Sequence, residues 1–187
     1  EKITVLGELA AFYTSLNQSQ SDDYGRQQLE IAELSRDRKL MAKALLSNAN
    51  RHLNFGGMQE HLNKANEYTL KALELSKSNH LDEYTSWSYM YLARVARVNG
   101  EGDKALNYNN LAVSLAMNSE NDSLKIYSLN SLGNTYINRN EKLLAFRNYL
   151  QALNLAEATK RYTLLESCYI VMANFYSGLE DYEKAKD

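Results

Sequence analysis

Three histidines, one cysteine and two glycine-rich turns are the places where this 187-residue chain could do chemistry. His52, His61 and His80 are scattered, with no His-x-x-x-His pair and no Cys/His cluster, so the spacing that sets zinc ligands on one helix face is missing. Cys168 lies beside Tyr169 with no histidine near it in sequence, and reads as a buried, inert thiol. Gly56-Gly57 is not followed by the Gly-Lys-Ser/Thr of a phosphate loop. Gly100-Glu101-Gly102-Asp103 lacks the ligand spacing of a calcium loop and reads as a helix–helix turn. No nucleophile stands beside a base, and no carboxylates pair with a reason to be perturbed. The expectation is therefore no catalytic residues, no metal, no cofactor and no enzyme activity. The remaining polar and aromatic side chains are suited to holding a partner.

Composition narrows the partner and the fold. The formal net charge of −2 leaves no basic footprint for nucleic acid or an anionic membrane surface. No apolar run approaches the ~20 residues that cross a bilayer. Glu1-Lys2-Ile3-Thr4-Val5 has no signal-peptide layout. The lone cysteine fits a reducing compartment such as the cytoplasm, although an exported protein can also lack disulfides. Hydrophobic residues make up 44% of the chain, enough to bury a core. Proline is absent, where about nine would be expected at the usual ~5%. The absence removes the main helix breaker and points to an all-α chain.

An internal period decides the arrangement of those helices. Ala72, Ala112 and Ala152 are 40 residues apart, as are the pairs Leu92-Ala93, Leu132-Gly133 and Met172-Ala173. Ala105, Ala145 and Ala185 repeat the interval. Each period holds two amphipathic stretches, as in Leu129, Leu132, Tyr136 and Ile137 followed by Leu144, Ala145, Tyr149, Ala152 and Leu155. Small residues at fixed places permit close helix–helix packing. The pattern predicts helices over 3–17, 22–35, 38–55, 60–78, 83–99, 103–118, 123–139, 142–159 and 162–178, with another starting near 181. Asp82 and Asp122 are the expected N-caps, and Gly100, Gly102 and Gly178 the expected breaks. The second pair is expected to have a longer first helix, because Ala49 and Ala65 stand 16 apart where Tyr136 and Ala145 stand nine apart. The whole reads as a single array of about four and a half helix pairs over 1–187, cut within its last repeat.

These residues resemble the tetratricopeptide repeat family, whose motif runs large residue, Leu-Gly or Leu-Ala, Tyr, then Ala, aromatic, Ala. Leu129, Leu132-Gly133, Tyr136, Ala145, Tyr149 and Ala152 match nearly throughout, and Tyr169, Met172-Ala173, Tyr176 and Ala185 as far as they go. The third unit departs, with Ala96 in place of the tyrosine and Asn109 in place of the aromatic. The family's usual period is 34 residues, so this chain looks like its longer-helix variants, found in bacterial peptide-sensing regulators and some polarity and motor adaptors. The resemblance implies a right-handed superhelical solenoid of antiparallel helix pairs. It also places the motif tyrosines Tyr136, Tyr149, Tyr169 and Tyr176 in the core.

The resemblance further implies a concave groove lined by the first helices. The position after Leu-Gly corresponds to Ser47, Arg94, Asn134 and Asn174, with Lys43, Asn50, Arg51, Asn54, Trp87, Met90, Tyr91, Arg97, Tyr127, Asn130, Ser131, Asn138 and Ile170 a turn to either side. Asn130, Asn134 and Asn138 are four apart and would stack along one face, where amides suit an extended peptide backbone. That set contains Lys43, Arg51, Arg94 and Arg97 and no acid, so the expected partner is an acidic peptide or a free carboxylate. The chaperone-binding members' Lys/Asn/Asn/Lys/Arg clamp does not fit, since only Lys43 matches and Ser47, Tyr91, Tyr127 and Ser131 do not. Trp87, the only tryptophan, reads first as packing under the second pair and second as a partner anchor. The expected function is a protein- or peptide-binding scaffold. The alternatives are a sensory domain preceding a kinase or DNA-binding output in a bacterial signalling protein, and a self-association module.

Overall fold

The structure, a computed structural model, describes residues 1–55 and 58–186, with the last seven as backbone alone. Among them are nine α-helices and no strand: α1 (Lys2–Tyr13), α2 (Gln18–Ser35), α3 (Arg38–Leu53), α4 (Gln59–Ser78), α5 (Asp82–Val98), α6 (Gly102–Met117), α7 (Asp122–Asn138), α8 (Lys142–Ala158) and α9 (Tyr162–Lys186). Each helix packs on its neighbours in sequence. The odd-numbered helices also pack on one another in order, α1 on α3, then α5, α7 and α9. Among the described residues the even-numbered helices do not pack backbone to backbone on one another. The result is an α-solenoid with an inner layer of odd helices and an outer layer of even ones. No described helix is long and apolar enough to cross a membrane.

The 40-residue period is two near-equal halves of about 20 residues, each a helix and a short turn. The turn recurs because its backbone does. His80, Gly100, Asn140 and Lys160 all have positive φ. Behind each, a backbone N–H reaches back over the helix end: Leu81 to Ser76 at 2.9 Å, Glu101 to Ala96 at 2.8 Å, Glu141 to Tyr136 at 2.8 Å and Arg161 to Ala156 at 3.2 Å. This six-residue closure satisfies carbonyls that the helix end orphans and turns the chain sharply. The small residues of the repeat are the contact points. Ala72, Ala105, Ala112, Ala145 and Ala152 are fully buried. Gly133 goes further: a Cβ there would lie 2.3 Å from Tyr149 Cε1, so the glycine is what lets the tyrosine ring cross α7.

Several boundaries differ from expectation for identifiable reasons. α3 is not lengthened: it stops at Leu53, and the extra residues enter the α3–α4 connection and a 20-residue α4. The expected Gly56-Gly57 break lies outside the described residues. α9 runs through Gly178 without a break; a single helical glycine costs only about 1 kcal/mol relative to alanine, and Leu179 packs on the cluster of Ala145, Tyr149 and Phe175 just beyond it. Asp82 and Asp122 are the first helical residues and not the caps. There they face the positive end of the helix dipole, while Asn121 caps α7 by accepting from the Leu124 N–H at 3.1 Å. α1 ends at Tyr13 and α2 starts four residues earlier than expected, because Asn17 caps it through the Gln20 N–H. Of the motif tyrosines, Tyr149 is buried and Tyr136 half-buried, but Tyr169 and Tyr176 are 55% and 50% exposed. Their counterparts one period earlier, Leu129 and Tyr136, lie on α7, which α8 covers; no described helix follows to cover α9.

Candidate functional site

The face of the odd helices turned away from the even ones is the solenoid's open inner surface. Its clearest concavity is a cleft of about 350 Å³ between α3 and α5, closed at one end by the start of α7. Leu46, Tyr84, Trp87 and Tyr91 form its walls, and Lys43, Ser47, Glu83 and Asn121 supply its polar rim. Trp87 packs against the Leu45, Leu46 and Ala72 cluster and keeps an accessible part in the cleft. Its ring lies 6.0 Å from Tyr91 and 5.4 Å from Tyr127. Burial pushes the Tyr91 phenol up to about 12, so it stays a protonated donor at neutral pH. Glu83 and Asn121 were not legible as inner-face residues; the Asn121 amide donates to Glu83 at 3.3 Å across 38 residues of sequence. With Glu83 in the rim, the inner face is not free of acid.

The residues expected on this face divide into three groups. Lys43, Ser47, Tyr91, Asn134 and Asn174 do line inner concavities, the last two with Ile137 and Tyr149 in a second cleft of about 320 Å³ between α7 and α9. Lys43 also donates to Thr4 Oγ1 at 3.0 Å. Asn50 is half-buried, Asn138 exposed, and Tyr127 39% exposed. Three residues are corrections, the first being Met90, which is 4% exposed and packs into the core with Ala112, Ala116 and Leu124. Arg51 is 4% exposed and turned toward α2, where it pairs with Asp22 and approaches Ser21 Oγ. Asn130 is buried in the seam between α7 and α9, its amide 3.8 Å from Cys168 Sγ and its Oδ1 without a hydrogen-bond partner among the described residues. The Asn130-Asn134-Asn138 ladder is therefore not one solvent-facing row. Asn134 itself accepts from the Tyr149 hydroxyl at 2.7 Å, which reaches the inner face over Gly133.

Arg94 and Arg97 form a distinct element of the face. Arg94 Nη2 donates to the Leu53 carbonyl at 2.8 Å and Asn54 Oδ1 at 3.1 Å, capping the negative end of α3. Both acceptors are neutral. Arg97, one turn on, has no ion pair or hydrogen bond among the described residues, and the groups that act on it electrostatically are Arg94 and the Tyr149 phenol. Burial lowers the pKa of both, and the Arg97 charge lowers that of Arg94 further. Elsewhere the chain treats arginine differently. Arg51 and Arg139, also withdrawn from solvent, are paired with carboxylates. Arg36, Arg38, Arg147 and Arg161 are exposed and keep their water.

The histidines are less scattered than their spacing indicates. His52 and His61 are both 2% exposed and their Nδ1 atoms lie 2.9 Å apart, stacked among Phe55 and Tyr68. Among the described residues no group of three His, Cys, Asp or Glu side chains converges as metal ligands would. Lys142 borders the α7–α9 cleft without altering this picture.

Fold and face together define an all-helical repeat solenoid with an open, aromatic and arginine-bearing inner surface. No family model and no curated protein sequence matches the chain. Among solved structures, the crystal structure of BtubC (BKLC) from P. vanneervenii is similar, with a TM-score of 0.67 over 98% of this chain and 77% of that one. At 19% identity this likeness is one of fold.

Proposed function

We propose that the chain is a tetratricopeptide-type scaffold whose inner face holds an extended segment of a partner protein, and that this segment is acidic where it meets Arg94 and Arg97. The observation that carries the reading is the pair of half-buried arginines without a carboxylate. Arginine cannot shed its proton in a protein, so a desolvated guanidinium without a counter-charge is a standing cost to the free molecule. A carboxylate from outside would remove that cost and gain charge-assisted hydrogen bonds with forked geometry. The mixed neighbourhood of amides, phenols and indole is the kind of surface that holds a peptide backbone and side chains together. No catalytic step is proposed.

The test is affinity capture with three forms of the chain: wild type, Arg97→Gln, and Lys71→Gln on the outer face of α4. A partner retained by wild type and Lys71→Gln but reduced about tenfold or more by Arg97→Gln supports the reading, since truncating a buried charge contact commonly costs that much. Equal recovery by all three sinks the inner-face assignment.

A further inference from the structure

Resting on that reading, we infer that the bound segment is read at two points: an acidic residue at Arg94 and Arg97, and a large apolar side chain in the Trp87 cleft, about four or five residues away along the segment.

The two points are held by one rigid element. Trp87 and Arg97 both belong to α5, ten residues apart. At ~1.5 Å rise per residue their levels differ by about 15 Å, and an extended chain spans that with about four or five residues at ~3.3 Å each. The cleft has room for one aromatic or large aliphatic side chain and its adjoining backbone, and its walls are Leu46, Tyr84, Trp87 and Tyr91. Its rim carries both signs, with Lys43 on α3 and Glu83 on α5, so it exerts no net charge preference on the side chain it receives. Glu83 can accept a peptide N–H, and Lys43 and Ser47 can donate to a peptide carbonyl. The arginine end is the reverse: two cations, neutral partners for Arg94, and for Arg97 the electrostatic neighbourhood of the Tyr149 phenol, whose hydroxyl donates to Asn134. An apolar wall and an unpaired cationic pair on one helix therefore select different side chains from the same segment. A single point would bind weakly and without register; two points at fixed spacing supply both affinity and direction.

A random dodecapeptide library panned on the wild-type chain, with counter-selection on Arg97→Gln, tests this. The expected winners carry an acidic residue about four or five positions from a large apolar one. Bound to the chain, they should perturb Trp87 emission, the single tryptophan signal. Replacing either anchor residue in a winning peptide by alanine should weaken binding about tenfold. Comparing free-acid and amidated peptides separates a side-chain carboxylate from a terminal one. Acidic winners with no apolar residue at fixed spacing, or winners that leave Trp87 emission unchanged, overturn the two-point inference. In that case loss of the captured partner on Arg97→Gln would still uphold the inner-face scaffold, so the two readings fail separately.

Discussion

At His52 both ring nitrogens are committed, and that fixes where its proton sits. Arg51 Nη2 lies 3.0 Å from His52 Nε2, and a guanidinium has only donors, so Nε2 must accept. The neutral ring then carries its proton on Nδ1 and donates to His61 Nδ1 at 2.9 Å; this tautomer is assigned from the hydrogen-bond network. A second proton on His52 would face the Arg51 charge. Burial first, then Arg51 and His61, lower the His52 pKa from 6.5 to about 4, while Asp22 opposes and Lys64 from α4 adds to the lowering. The folded state therefore binds fewer protons here than the unfolded chain between these values. The contribution of neutral His52 is full above pH 6.5 and is lost as pH falls toward 4. Its full size is on the order of 3 kcal/mol. Urea unfolding across that window should show this loss, with the slope reduced in His52→Gln. A His52 ring resonance that titrates near its ordinary value in the folded chain would falsify the argument.

Two helices meet at Gly133, and the meeting is set by one missing methyl group. The Tyr149 ring occupies the space where a Cβ would stand, with Cε1, Cδ1 and Cζ at 2.3, 2.6 and 2.9 Å from it. The ring is packed on the other side by Phe175, centroids 5.9 Å apart, so it has little freedom to retreat. One period earlier Asn109 holds the register of Tyr149, no ring has to cross, and Ala93 is accepted at 0% exposure. Gly133→Ala should destabilise the chain by about 2–3 kcal/mol through overpacking, despite alanine's better helix propensity. In a Tyr149→Ala background the same change should be neutral or stabilising by up to ~1 kcal/mol. Thermal unfolding of the four forms of this cycle measures the coupling; a penalty that persists without the ring would place the strain elsewhere.

Among the described residues no helix packs on another more than two positions away in sequence, so stability is a sum of near-neighbour interfaces. Damage should therefore stay local. Leu124 is fully buried with Met90, Ala112 and Ala116, at the junction of α5, α6 and α7. Leu124→Ala should cost about 2–5 kcal/mol at that junction. Hydrogen exchange should rise in α5, α6 and α7 and stay unchanged in α1 and α2. An equal rise in all helices would mean that the array unfolds as one unit. The same architecture explains why the inner face can be long and continuous: successive odd helices extend it, and among the described residues no distant helix packs across it.

The sequence by itself determined the helices, their pairing and the 40-residue repeat, because these rest on periodic and local features. Small residues recur where axes approach, as at Ala72, Ala112 and Ala152, and positive-φ turns recur behind α2, α4, α5, α7 and α8. Side-chain direction was less legible. Each step along a helix turns a side chain by about 100°, so a small register error carries Arg51 from the inner face into the α2 seam and Asn130 into the α7–α9 seam. The repeat spacing also could not say where the surplus of the second pair goes, since loop and helix absorb residues equally well in an alignment. Tertiary packing placed it in the α3–α4 connection and α4, and so brought His61 onto His52. It likewise set Asn121 against Glu83 and left Arg97 without a carboxylate. Those outcomes depend on the distance between chains that only meet after folding, and on which charges solvent can no longer reach.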